Sequence, residues 1–99
     1  MSARFDELIH PSTRLILVAT LAATDWAEFA YLRERLGLSD SALSKQLATL
    51  EEAGYVATER RLEGKRHKLR ARLTDLGREA FGGHVAALRS IVDGSIPDS

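Results

Sequence analysis

Between Ser39 and Tyr55 the sequence runs SDSALSKQLATLEEAGY, and Ser39, Ser41, Ser44, Lys45, Gln46 and Thr49 within it are short hydrogen-bonding groups with a single cation among them. On a helix most of them fall on one side, because Leu43, Leu47 and Leu50 stand at i, i+4 and i+7 and claim the other side for a core, with Ala53 extending the stripe. A face of small hydroxyls can approach another surface closely. Its amide can pair bidentately with adenine and its ammonium can donate to guanine N7 and O6, while serine discriminates little between bases. Ser41, Ser44 and Lys45 are the leading candidates for such contacts, with Gln46 and Thr49 beside them and Ser39 at the helix start.

A second group of residues carries charge. Arg60, Arg61, Lys65, Arg66, His67, Lys68 and Arg70 crowd a short stretch, and from Arg60 to Arg72 seven Lys and Arg residues stand against the single acid Glu63, a local charge of +6. The whole chain is neutral, with 14 bases and 14 acids, so the remainder sums to −6. A basic strip on an acidic body can hold a polyanion at one face and keep it off the others. Each phosphate that such a strip neutralises releases counterions, so affinity is expected to come mostly from there.

Other chemistries find no support in the residues. The chain has no cysteine, which excludes disulfides, thiolate catalysis and cysteine-based metal sites. His10, His67 and His84 are too scattered along the chain for a metal site. No Ser/His/Asp set, phosphate-cradling glycine loop or paired-carboxylate site can be assembled, so neither an enzyme nor a cofactor is expected. Trp26 and Tyr31 read as core or interface aromatics. The opening MSARFDELIHPS lacks the features of a leader, and the longest apolar stretch, Leu15 to Ala23, is interrupted by Thr20. Neither secretion nor a membrane span is expected, and a cytoplasmic location fits.

The elements that would position these residues can be read in order. Phe5 to Ile9 is a short amphipathic lead, and Pro11 suits the first turn of a helix starting near Ser12. That helix is apolar on nearly every side through Leu15, Ile16, Leu17, Val18, Leu21, Ala22 and Ala23, as though buried all round. Thr24 to Trp26 form a break, and Glu28 to Leu36 makes a second helix with Phe29, Leu32 and Leu36 inward. Gly37 ends it. Only Gly37, Leu38 and Ser39 separate it from the next helix, a link that makes the two cross steeply. Ser39 or Asp40 caps that helix and Gly54 stops it.

Beyond Gly54 the period shortens. β-forming residues lead to a charged tip at Leu62 to Lys65, and the return strand from His67 to Leu73 alternates, with Leu69, Ala71 and Leu73 on one face and Lys68, Arg70 and Arg72 on the other. Thr74 and Asp75 cap a last helix running to about Val92, and the residues after it look frayed. Gly82 and Gly83 interrupt that helix with poor helix formers, which implies a kink, a close approach by a partner helix, or a break between two short helices.

Helix, helix-turn-helix, hairpin and long final helix describe a winged helix-turn-helix domain, mainly α with a small β wing. The runs LGLSDSALSKQLATLEEAGYV and RLTDLGREAF, with the basic segment between them, resemble the MarR-like and ArsR-like winged-helix regulators. The opening His10 to Leu15 is similar to that of their compact stand-alone members. The resemblance implies a cytoplasmic, prokaryotic, homodimeric regulator of transcription that binds double-stranded DNA with the helix over 39–53 in the major groove and the hairpin over 55–73 on phosphates or the minor groove. Residues 5–36 would form the N-terminal helices of one domain spanning 1–99, and 74–92 its dimerisation helix. Leu15, Ile16, Phe81, Val85, Leu88, Ile91 and Val92 are the expected dimer seam. Ser41, Ala42 and Gln46 stand where such proteins often carry a glycine-asparagine pair and a histidine, so no half-site is implied, and the cysteine pairs of ArsR-like metal sensing are absent. Any effector would bind in the dimer crevice or be another protein. A reading of a different class also stands: a winged-helix module whose same helix docks on a protein.

Overall fold

The computed structural model describes residues 3–94; the expected fraying at 95–99 lies outside them. Four helices, α1 (Ser12–Ala22), α2 (Phe29–Leu36), α3 (Asp40–Glu52) and α4 (Asp75–Val92), pack with three strands, β1 (Ala27–Glu28), β2 (Val56–Glu63) and β3 (Arg66–Leu73). The strands form one antiparallel sheet in the order β1-β3-β2. This is the winged helix-turn-helix architecture, with β2 and β3 as the wing.

The core is an aliphatic cluster. Leu17, Val18 and Leu21 of α1, Leu32 of α2, Leu43, Leu47 and Leu50 of α3, and Val56, Ala71 and Leu73 of the sheet are all buried, and Ile9 seals one end. The leucine stripe of α3 is thus inward, which turns its hydroxyl face outward.

Local chemistry sets the boundaries. Gly37 follows α2 in the left-handed region (φ +65°), and its N–H donates to the Glu34 carbonyl while Leu38 N–H donates to that of Arg33, a Schellman-type stop that redirects the chain within three residues. Ser39 Oγ accepts from Ala42 N–H at 3.1 Å and so caps α3. The expected second helix starts one residue later than Glu28, because Glu28 is extended (φ −72°, ψ 145°) and pairs with Arg70 in the sheet. Strand β1 was not apparent in the sequence.

Thr74 joins the elements on either side of the wing. Its Oγ1 accepts from Gly77 N–H at 3.0 Å, capping α4, and donates to the Gly54 carbonyl at 2.6 Å, while its N–H donates to the Tyr55 carbonyl at 3.0 Å. The end of α3 and the start of α4 are therefore tied at one residue.

Two expectations for the helices are revised. α1 is not buried all round, since Ile16 is 54 % exposed and Ala19 lies open. α4 runs unbroken through Gly82 and Gly83, which removes the break between two short helices, and Arg4 N–H of the same chain donates to the Gly83 carbonyl at 2.8 Å. The lead over residues 5–9 is a single turn closed by His10 N–H on the Asp6 carbonyl, not a helix.

Candidate nucleic-acid interface

Helix α3 exposes Ser39, Ser41, Ser44 and Lys45 on its N-terminal half while burying Leu43 and Leu47. Ser39 Oγ lies 3.4 Å from Ser41 Oγ, so the first turn presents a pair of hydroxyls. Thr49 is half-buried, and its hydroxyl donates back to the Lys45 carbonyl at 3.1 Å.

Gln46 departs from expectation. Its amide oxygen accepts from Arg14 Nη1 at 3.1 Å, and the same guanidinium donates through Nε to the Leu8 carbonyl at 2.6 Å. The glutamine is thereby turned toward α1 and the N-terminal segment. It sits at the edge of the leucine stripe, where helical spacing alone does not decide between outward and inward.

The wing register assigns its faces. Arg60 stands opposite Leu69 and Leu62 opposite His67, on the face that carries Val56, Ala71 and Leu73; Arg61, Arg66, Lys68, Arg70 and Arg72 occupy the other. The expected alternation holds, but this second face is not a free row of cations. Lys68 Nζ lies 3.2 Å from Glu63 and 3.9 Å from Glu28, and Arg70 sets both Nε and Nη2 on Glu59 Oε1 at 3.1 and 2.8 Å. Arg72 Nε is 3.8 Å from Asp25, beyond hydrogen-bond reach. The guanidinium groups of Arg70 and Arg72 lie over Trp26, at 4.2 and 5.6 Å from its ring centre, so Trp26 is a platform for two arginines.

These exposed ion pairs contribute little to stability, yet they cancel charge locally. Glu28, Glu59 and Asp25 all come from outside the stretch whose sum is +6. Arg60, Arg61, Lys65 and Arg66 have no ion-pair partner among the described residues. The available positive charge is therefore at the outer half of the wing.

A cleft of about 600 Å³ separates the wing from α2 and α3, lined among others by Ser44, Arg33, Arg60, Arg66, His67 and Lys68. It sets Ser44 of the hydroxyl helix face and the wing residues Arg60, Arg66, His67 and Lys68 on one concave surface, with the acids Glu28 and Asp40 also in the lining. Arg33 was missed from sequence. It stands in the last turn of α2 and pairs with Asp40 at the start of α3 at 2.7 Å, a hydrogen-bonded contact that raises the guanidinium pKa. The pair sits where α2 turns into α3, and the Arg-to-Asp spacing across a three-residue turn was its only trace in the sequence.

The histidines also differ from expectation. His67 stays in the wing, but His10 and His84 meet, with Nδ1 of one 3.3 Å from Nε2 of the other and Phe5 packed on both rings at 4.7 Å. His84 is fully buried, and its Nδ1 accepts from Asp6 N–H at 3.0 Å. Burial first, and the neighbouring His10 second, lower its pKa. Among the described residues no group of three or more His, Asp or Glu is placed to hold a metal ion.

Residues 13–92 match the model of the winged helix DNA-binding domain. The chain belongs to this family. An uncharacterized protein from Methanocaldococcus jannaschii is 33 % identical over 79 residues, covering 80 % of this chain and 86 % of its own. Among solved structures, the transcriptional regulator homologue from Pyrococcus horikoshii OT3 superposes with a TM-score of 0.83 at 24 % identity, over 90 % of this chain and 88 % of that one. ZitR from Lactococcus lactis, described as a zinc-responsive MarR family member, gives 0.61 at 25 % identity over 84 % of this chain and 56 % of its own. The winged-helix domain is thus MarR-like in fold, and its family is one of DNA binders, not enzymes. No helix among the described residues is long and apolar enough to cross a membrane.

Proposed function

We propose that the chain is a sequence-specific, double-stranded-DNA-binding regulator of transcription that acts as a homodimer in the cytoplasm of a prokaryote. The observation that carries this reading is the shared cleft, in which Ser44 of the outward α3 face meets Arg60 and Arg66, two of the four wing cations without ion-pair partners among the described residues. Helices so placed enter the major groove with their N-terminal residues against base edges. Ser41, Ser44 and Lys45 would meet bases, and Ser39 would meet the backbone or a base beside them. Arg60, Arg61, Lys65, Arg66 and His67 would meet phosphates or the neighbouring minor groove. Gln46 and Arg70 are weaker candidates, since Gln46 accepts from Arg14 and Arg70 donates to Glu59 within the chain. Thr49 and Lys68 sit at its margin.

Dimerisation draws support from the apolar surface left open on α1 and α4: Ile16 at 54 %, Ile91 at 52 % and Val92 at 84 % exposed. Val85 and Leu88 lie half-buried on the same last helix. Leu15 and Phe81, by contrast, pack against the core of their own chain, and contribute to a seam only through their remaining surface. With one domain of this size, the whole chain from 1 to 99 would serve as a DNA-binding and dimerisation unit, and an effector would enter at the seam.

Anisotropy titration of a labelled duplex tests the reading. Binding should weaken steeply with salt, since phosphate contacts dominate. Arg66→Ala should weaken binding to every sequence, whereas Ser44→Ala or Lys45→Ala should change which sequence is preferred. Absence of duplex binding at low salt would overturn the function, and equal loss from all three variants would overturn the division of labour.

A further inference from the structure

We propose that Leu62, at the tip of the wing, is an apolar wedge that enters the minor groove of duplex DNA and partly unstacks the base step it meets. The inference rests on the DNA-binding reading above and assigns a role to a residue that reading leaves unused.

Leu62 is 67 % exposed and stands opposite His67 near the end of the hairpin. The turn that follows consists of Gly64 and Lys65, because Glu63 pairs with Arg66. Gly64 has φ +64° and Lys65 is not left-handed, the pattern of a two-residue type II′ turn, which holds both strands in fixed register. By two-residue alternation Leu62 shares the face of Val56, the last buried residue on its strand. They stand six positions apart, roughly 20 Å of strand. The leucine is therefore carried well beyond the core, with most of its surface open.

An aliphatic side chain held out in water costs free energy in proportion to its area, and its surroundings say what kind of surface relieves it. Arg60 and Arg61 precede it, Lys65 and Arg66 follow it, and none of the four has an ion-pair partner among the described residues. A second copy of the tip would be repelled by that charge. A polyanion with an apolar floor fits both features. In the minor groove phosphates line the rims and base steps admit leucine as a wedge. Reach agrees as well, since about 17 Å, half of a DNA turn of roughly 34 Å, separates a major groove from the next minor groove. The roughly 20 Å of strand between Val56 and Leu62 is of that order.

The experiment uses the full chain and a short duplex carrying a fluorescent adenine analogue whose emission rises on unstacking. Wild type should raise the emission. Leu62→Ala should abolish the rise and weaken binding on the order of tenfold, the loss expected for one buried aliphatic group. The slope of log Kd against log salt should not change, because no phosphate contact is removed. Leu62→Met should retain both signals, and the melting temperature should be the same for all three proteins. Unchanged affinity and emission in Leu62→Ala, with wild type binding the duplex, would overturn the wedge and leave the DNA reading intact. Failure of wild type to bind duplex, with binding to phosphatidylglycerol vesicles instead, would overturn both.

Discussion

Tyr55 Oη donates to Asp6 Oδ2 at 2.6 Å, across a separation of 49 residues. The other carboxylate oxygen accepts from Leu8 and Ile9 N–H at 2.9 and 3.2 Å, and Asp6 N–H itself donates to His84. One aspartate thus joins the N-terminal segment to α4 and to Tyr55, just beyond the end of α3.

Removing the phenol tests this link. Tyr55→Phe should lower stability by about 1–2 kcal/mol, since it leaves a carboxylate oxygen without its donor. The hydrogen bond to Asp6, then burial, push the Tyr55 pKa up to about 12 from 10.0. The unfolded chain therefore releases this proton first as pH rises, so stability falls between about pH 10 and about pH 12. Absorbance titration of the folded protein and denaturation across that range check both points; a Tyr55 that titrates at its ordinary value would refute the bond.

His84 has the opposite sign. Its folded pKa lies below the ordinary 6.5, from burial first and the adjacent His10 second. A proton on Nδ1 would also face the Asp6 N–H that this nitrogen now accepts. The unfolded chain binds the proton more readily, so stability should decline as pH falls below 6.5, until the folded pKa is reached. Denaturation midpoints from about pH 7 to about pH 5, compared between wild type and His84→Gln, provide the measurement. A wild-type midpoint that is flat over this range would count against the assignment.

Gly77 has no room for a side chain. A Cβ there would overlap the Tyr55 carbonyl oxygen and come within 2.9 Å of Leu73 Cδ1. Gly77→Ala should therefore destabilise by about 1–3 kcal/mol or more, although alanine is the better helix former. Thr74→Ala should cost a comparable amount, about 1–2 kcal/mol, through loss of the cap and of the bond to Gly54. Thermal melts of both variants decide, and a gain in stability from Gly77→Ala would show that the close approach is not real.

What the sequence made legible follows from how local each signal is. Caps and periods are local: Ser39, Thr74, the leucine stripe of α3 and the alternation of β3 were all readable, and with them the fold. The partners of charges are not local. Glu59 reaches Arg70 through strand register, Glu28 and Asp25 come from a segment that shows no strand pattern because only two of its residues pair, and Gln46 is claimed by an arginine 32 positions earlier. The same holds for Asp6 and His84, which are 78 positions apart. Position in the sequence identified the wing as basic, but only the tertiary pairing says which of its cations are free.

That distinction yields the last prediction. Arg66 has no ion-pair partner among the described residues, while Arg70 holds Glu59 and lies over Trp26. Arg66→Ala should remove one phosphate contact, reducing the slope of log affinity against log salt by about 0.9 with the melting temperature unchanged. Arg70→Ala should do the reverse: it strips a stacked guanidinium from Trp26 and leaves Glu59 unpaired, so the protein loses about 1 kcal/mol of stability. Its salt slope should shift little, because a guanidinium already held by Glu59 makes no phosphate contact to lose. Salt titrations and melts on the two variants form a crossed test. If Arg70→Ala lowers the slope as much as Arg66→Ala does, phosphates displace Glu59 in the complex and the paired face of the wing belongs to the interface after all.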